Sequence, residues 1–110
     1  MSWARGDVVV ANDPFSDDET AGRPFLIINR SKTPFHGEQY IALSLTTRTW
    51  HEERIPLDEG DWAEGGAPES SSLMPWSVNS IKIEWIDYRQ GTLTERVVAD
   101  AVTQLTDYIE

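Results

Sequence analysis

The hydrophobic period of this chain changes once, close to its end. Up to Tyr88 the apolar residues come in short β-branched or alternating runs closed by Gly, Pro, Asn or Asp. Beyond it, Val98, Ala101, Val102, Leu105 and Ile109 recur at helical spacing. A chain divided in this way is confined to a small, strongly bent sheet or barrel of short strands with one helix packed on it. The runs predict strands over residues 8–10, 24–29, 39–47, 53–57, 72–75 and 81–88, and an amphipathic helix over 94–108. Thr92 or Thr94 can cap that helix, and Glu95 suits the positive end of its dipole. Residues 15–22 and 58–71 read as acidic loops, the second long and mobile.

With 110 residues, and neither a repeat nor a linker, the chain is expected to form a single domain over residues 1–110. Cysteine is absent, which excludes disulfides and thiolate metal sites. No apolar run approaches the ~18 residues of a membrane span, and no signal-peptide core is evident, so the expected location is the cytoplasm, without membrane partners. Acids dominate: 19 Asp and Glu against 9 Lys and Arg, of which only Lys32 and Lys82 are lysines. Dispersed carboxylates with scarce lysine suit a protein living in molar salt, where self-repulsion is screened within about 3 Å. A DNA mimic or an ordinary acidic protein is the competing reading. At low ionic strength a net charge of −10 opposes nucleic-acid binding; in molar salt, short-range hydrogen bonds from a few arginines would carry it.

Arg23 is the first candidate site residue. In Ala21-Gly22-Arg23-Pro24 it stands where the acidic loop passes into the apolar run Phe25-Leu26-Ile27-Ile28, mounted on a strand start beside a Pro-fixed backbone. The alternative is a solvated strand-end charge. Ser44, Thr46 and Thr47, followed by Arg48, close the third strand, and their hydroxyls could donate to a phosphate; threonine also simply favours strands. If the second and third strands are antiparallel neighbours, Arg23 and Thr46 meet at one edge of the sheet. Arginine plus hydroxyl, without lysine or metal, suits charge stabilisation on a phosphate. His36 and His51 flank the third strand and could approach one another as an acid/base pair, or be ordinary surface histidines, His51 being the better candidate. Asp17-Asp18-Glu19 and His51-Glu52-Glu53 lack metal-site spacing, so neither metal nor cofactor is expected. Of the five tryptophans, Trp85 and Trp76 fit core or interface packing, while Trp50 and Trp62 are open between packing and base stacking.

Taken in order, Arg5-Gly6-Asp7-Val8-Val9-Val10, Asp13-Pro14, Glu19-Thr20-Ala21-Gly22-Arg23-Pro24, Leu45-Thr46-Thr47, Ser77-Val78-Asn79-Ser80-Ile81 and Gly91-Thr92-Leu93 resemble the MazF/PemK family of toxins over nearly the whole chain. The resemblance implies an SH3-like barrel of five to seven short strands with a C-terminal helix. It also implies a homodimer that cleaves single-stranded RNA without metal and is held inactive by a small antitoxin. In that chemistry the 2′-hydroxyl attacks the adjacent phosphate, leaving 2′,3′-cyclic phosphate and 5′-hydroxyl ends. By position Arg23 and Thr46 match the family's catalytic pair, and Glu19 an acid of its mobile loop; Thr47, Arg48 and His51 are added as substrate-binding candidates. Trp76-Ser77 stands where many members carry Asp-Gln. The rival expectation is a non-catalytic SH3-like binding module, or a relative that targets a protein such as gyrase.

Overall fold

The structure, a computed structural model, describes residues 2–12 and 22–110. Seven strands, β1 (Asp7–Ala11), β2 (Arg23–Ile27), β3 (Gln39–Thr46), β4 (Ile55–Pro56), β5 (Trp62–Gly65), β6 (Ser72–Lys82) and β7 (Ile86–Leu93), precede one helix, α1 (Glu95–Ile109). They form one sheet in the order β4-β6-β3-β2-β1-β7-β5, every pairing antiparallel. Register shifts in the β3–β6 and β1–β7 ladders mark bulges, which bend strands and increase twist. The sheet is correspondingly curled, and the fold is the mainly β half-barrel with a C-terminal helix that the period change predicts.

Both faces of the central strands are buried over Val8–Ala11 and Phe25–Ile27, which is why these stretches are unbroken apolar runs. On one face Val8, Leu26, Leu43 and Leu73 pack against Val98 and Ala101 of α1. On the other, Val9, Phe25, Ile27, Tyr40, Ala42 and Ile81 form a second core, flanked by Trp3 and Trp85. Each large aliphatic side chain so buried contributes about 1.5–3 kcal/mol. Helix α1 is tied back further by Arg5, whose guanidinium donates to Ile28 O at 2.7 Å and pairs with Glu95 at 2.9 Å. Thr94 occupies the N-cap position, yet its side chain makes no capping bond; the Thr92 hydroxyl donates to Asp7 instead.

The strand expected over 81–88 is instead a corner. Lys82 closes β6, Ile83–Trp85 is a 3₁₀ turn, and β7 opens at Ile86. Its apolar alternation survives because strand ends and turn all face the same core. The loop expected over 58–71 contains a 3₁₀ turn, Glu59–Asp61, and strand β5 paired to β7. Trp62 there lies over Gly91, where an added Cβ would come within 2.8 Å of the indole. The strand expected at 53–57 contracts to Ile55–Pro56. His36 and His51 lie beyond opposite ends of β3, eight residues long and therefore about 25 Å at ~3.3 Å per residue. They form no acid/base pair.

Candidate active site

Arg23 is the first residue of β2, opposite Ala11 in the β1 ladder. The preceding Gly22 is required by packing: a Cβ there would lie 2.5 Å from Val10 Cγ1. The β2–β3 ladder pairs Phe25 with Ser44. Two residues further out along each strand stand Arg23 and Thr46, and because the side-chain period is 2, all four share one face of the sheet. Arg23 is exposed and makes no ion pair among the described residues.

Two hydroxyls accompany it. Thr46 Oγ1 accepts the backbone N–H of Arg48 at 3.1 Å, which orients the side chain and leaves its O–H to donate. Ser44 Oγ accepts from Ser77 Oγ at 3.0 Å and from Asn79 Nδ2 at 2.9 Å, so its own proton is likewise available. Asn79 Nδ2 is shared with Ser77 O at 3.2 Å. The β6 bulge makes this cluster possible: opposite Leu43 stands Val78, but opposite the next residue, Ser44, stands Met74. The looped-out stretch between them turns Ser77 toward Ser44. In the sequence Ser77 and Asn79 stand in the family-like segment Ser77–Ile81 and Ser77 in a replaced dipeptide, but neither is marked as a partner of Ser44, because a polar segment carries no periodicity signal of its own.

Beside Phe25 the same face opens into a cavity of ≈ 200 Å³ whose lining includes Ala11, Asn12, Phe25, Asn79, Ile81 and Trp85. The remaining sequence candidates separate. Thr47 and Arg48 are exposed, and the Arg48 guanidinium stacks 4.7 Å from the Trp50 ring centre. His51 Nε2 accepts from Trp50 Nε1 at 3.0 Å, and its ring meets Trp76 edge-on at 5.2 Å. It lines an apolar groove of ≈ 510 Å³ with Trp76, Val78, Leu105, Tyr108 and Ile109, alongside the end of α1. The structure therefore brings Arg23, Ser44 and Thr46 together and places His51 against the helix instead. Glu19 lies outside the described residues. Among the described residues, no three His, Asp or Glu side chains converge as a metal would require, and no helix is long and apolar enough to cross a membrane. Glu95 has its carboxyl held below the ordinary value of 4.5 by its hydrogen bond from Arg5.

A curled antiparallel sheet with this element order and a packed C-terminal helix is the fold of the MazF toxins. In particular, the chain is similar to the MazE–MazF complex of Deinococcus radiodurans (form II), with TM-score 0.75 and 13% identity over 99% of this chain and 96% of that one. It is also similar to a mycobacterial endoribonuclease in complex with its cognate antitoxin, with TM-score 0.71 and 16% identity over 98% and 93% of the two chains. The Mycobacterium tuberculosis toxin MazF-mt6 superposes with TM-score 0.65 at 18% identity, over 92% and 96%. At these identities it is the fold that is shared. No protein-family model and no curated protein matches the sequence.

Proposed function

We propose that this chain is a MazF/PemK-type toxin, a single domain over residues 1–110 acting in the cytoplasm as an endoribonuclease on single-stranded RNA. The observation that carries the reading is the convergence of Arg23, Thr46 and Ser44 on one face of a MazF fold, with Arg23 exposed and the two hydroxyls half-buried. An arginine stays protonated and offers a planar fork of donors matched to phosphate oxygens. Two hydroxyls with free protons complete a donor set aimed at the charge that develops when the 2′-oxygen bonds to phosphorus and the bond to the 5′-oxygen breaks. The products are a 2′,3′-cyclic phosphate and a 5′-hydroxyl, the proton lost at the 2′-oxygen and the one gained at the 5′-oxygen being exchanged with solvent at this open edge. The chain's own donors carry the charge, so neither metal nor cofactor enters the scheme. Thr47 and Arg48 continue this face as substrate contacts, and Glu19 is a further proposed substrate contact. His51, through Trp50 and Trp76, contributes from the helix side.

The apolar groove supports an assembly. Trp76, Val78, Tyr108 and Ile109 expose 38%, 46%, 50% and 74% of their surface along it. We assign it to a second copy of the chain, and a small antitoxin is the expected inhibitor, in keeping with the complexes among the similar structures. Purified protein in high KCl with EDTA is expected to cut single-stranded RNA. Arg23→Ala is expected to lose about 10²–10³-fold of the rate, the cost of removing one charge-stabilising donor, with its unfolding transition unchanged because the side chain is exposed. RNA left intact across salts and sequences would refute the reading.

A further inference from the structure

Between Glu19 and Glu52 this acidic chain carries a single acid, Glu38, against four bases, Arg23, Arg30, Lys32 and Arg48. Arg23 and Arg48 belong to the proposed cleavage face. Arg30 and Lys32 do not. They follow the far end of β2, Arg30 seven residues beyond Arg23 and hence about 23 Å away at ~3.3 Å per residue. With Ala4, Arg5, Ser31 and His36 they line a cavity of ≈ 440 Å³ that has no carboxylate in its wall. Turn bonds from Thr33 N–H to Arg30 O at 3.0 Å and from His36 N–H to Thr33 O at 3.1 Å coil the segment and bring its basic side chains to that wall. Phe35 beside His36 is held at φ 63°, a conformation a non-glycine residue keeps only where its surroundings impose it.

The wall is a set of donors. Buried Asn29 accepts the Ile41 N–H at Oδ1 (3.0 Å), which fixes its amide orientation, because a backbone N–H only donates. Both N–H groups of its Nδ2 are then engaged, one with Arg30 O at 3.3 Å and one with His36 Nδ1 at 3.1 Å. His36 Nδ1 is therefore an acceptor, and the ring proton sits on Nε2, left for a ligand. An edge-on contact with Tyr40 at 5.5 Å holds the ring. Among the described residues neither Arg30 nor Lys32 makes an ion pair. Arg5 is committed to Ile28 O and Glu95 and adds charge. Asp7, which accepts from Ala4 N–H, has its own cation in Arg89.

Arg5, Arg30 and Lys32, set against the one carboxylate of Glu95, leave two positive charges. A guanidinium fork, an ammonium, an imidazole N–H and the Ser31 hydroxyl together suit an oxyanion that carries two negative charges. We propose that this cavity is a second, non-catalytic anion site that takes a phosphate dianion, either inorganic phosphate or the terminal phosphate monoester of a nucleotide. One phosphate cannot reach both this cavity and Arg23 across about 23 Å. The site is thus separate from the cleavage face and does not rest on the ribonuclease reading. Each charge-assisted contact is expected to contribute about tenfold in affinity.

The test uses the full chain carrying Arg23→Ala, which silences the other phosphate-binding face. It is run at about pH 8, where a phosphate monoester is a dianion, with ionic strength held constant by KCl. Backbone amide resonances are followed by NMR as inorganic phosphate, adenosine 5′-monophosphate or adenosine is added. Phosphate and the monophosphate should shift Arg5 and the 30–36 segment along saturable curves, and adenosine should not. Equal affinities identify the free ion as the ligand, and a tighter monophosphate identifies the nucleotide end; either upholds the site. Arg30→Ala and Lys32→Ala should each weaken binding about tenfold, with the melting temperature unchanged because both side chains are exposed. Adenosine binding as well as its monophosphate, shifts that do not saturate, or an affinity that neither variant lowers overturns the proposal. RNA cleavage by the parent chain is measured separately, so failure of either result leaves the other standing.

Discussion

Gly22→Ala tests whether the mounting of Arg23, and not merely its presence, matters. A Cβ at residue 22 would stand 2.5 Å from Val10 Cγ1, whereas carbon atoms rest at about 3.5–4.0 Å. At least about 1 Å must be found. Val10 is β-branched, 9% exposed, and paired with Pro24 in the β1–β2 ladder, so it has little freedom to turn aside. The displacement is therefore passed to the start of β2. Overpacking of this kind costs about 1–3 kcal/mol, and at about 4–8 °C per kcal/mol for a domain near this size the melting temperature should fall by at least about 4 °C. A misplacement of about 1 Å in a group that positions the reacting atoms costs on the order of 10²-fold in rate. The assay is a thermal melt followed by tryptophan fluorescence, paired with single-turnover RNA cleavage. The double variant Gly22→Ala with Val10→Ala removes Cγ1 and should recover most of the activity, though not the stability lost with the valine methyls. A single variant that melts within about 1 °C of the parent, or a double variant that recovers no activity, would refute the account.

Gly91→Ala should destabilise the β5–β7 edge by about 1–3 kcal/mol in urea titration, because the new methyl meets both Trp62 and Glu64 O. Glu95→Gln should cost stability only where the carboxylate is ionised. Arg5 lowers the folded-state pKa, so the contribution is complete above the ordinary value of 4.5 and is lost as pH falls through the lower folded value. Since Glu95 is 62% exposed, the difference between the two melts should be under about 1 kcal/mol at pH 7 and vanish in acid. Finally, with 19 acids against 9 bases, the melting temperature should rise as KCl is raised toward molar concentration; a fall would count against adaptation to salt.

The parts of the fold legible in the sequence are those whose signal is local. The valine run of β1, the apolar β2 and the helical spacing of α1 each announce themselves, because a buried face imposes its own period on the residues that form it. The corner at Ile83–Trp85 did not, since its alternation reflects a shared core and not a continuous strand. Strand β5 was hidden in a glycine-bearing acidic loop, its pairing set by Trp62 reaching Gly91, 29 positions away in the chain. The same division runs through the candidate site. The Gly-Arg-Pro junction and the hydroxyls that close β3 mark Arg23 and Thr46, whereas nothing local distinguishes Asn79 from any polar strand residue.

By itself the sequence determined that short strands precede a helix, that Arg23 stands on a strand start behind a glycine, and that acidic charge prevails. Only the tertiary structure decided what stands beside Arg23. Antiparallel pairing of β2 with β3 carries Thr46 and Ser44 to its face, and the bulge in β6 turns Ser77 and Asn79 onto Ser44. It also sent His51 to the helix side, and it tied the amides of Asn12 and Asn79 to Asp87 and Ser44, 75 and 35 positions away in the chain. Register and bulges are agreements between distant strands, and their energy resides in cross-strand pairs that no single stretch of sequence contains.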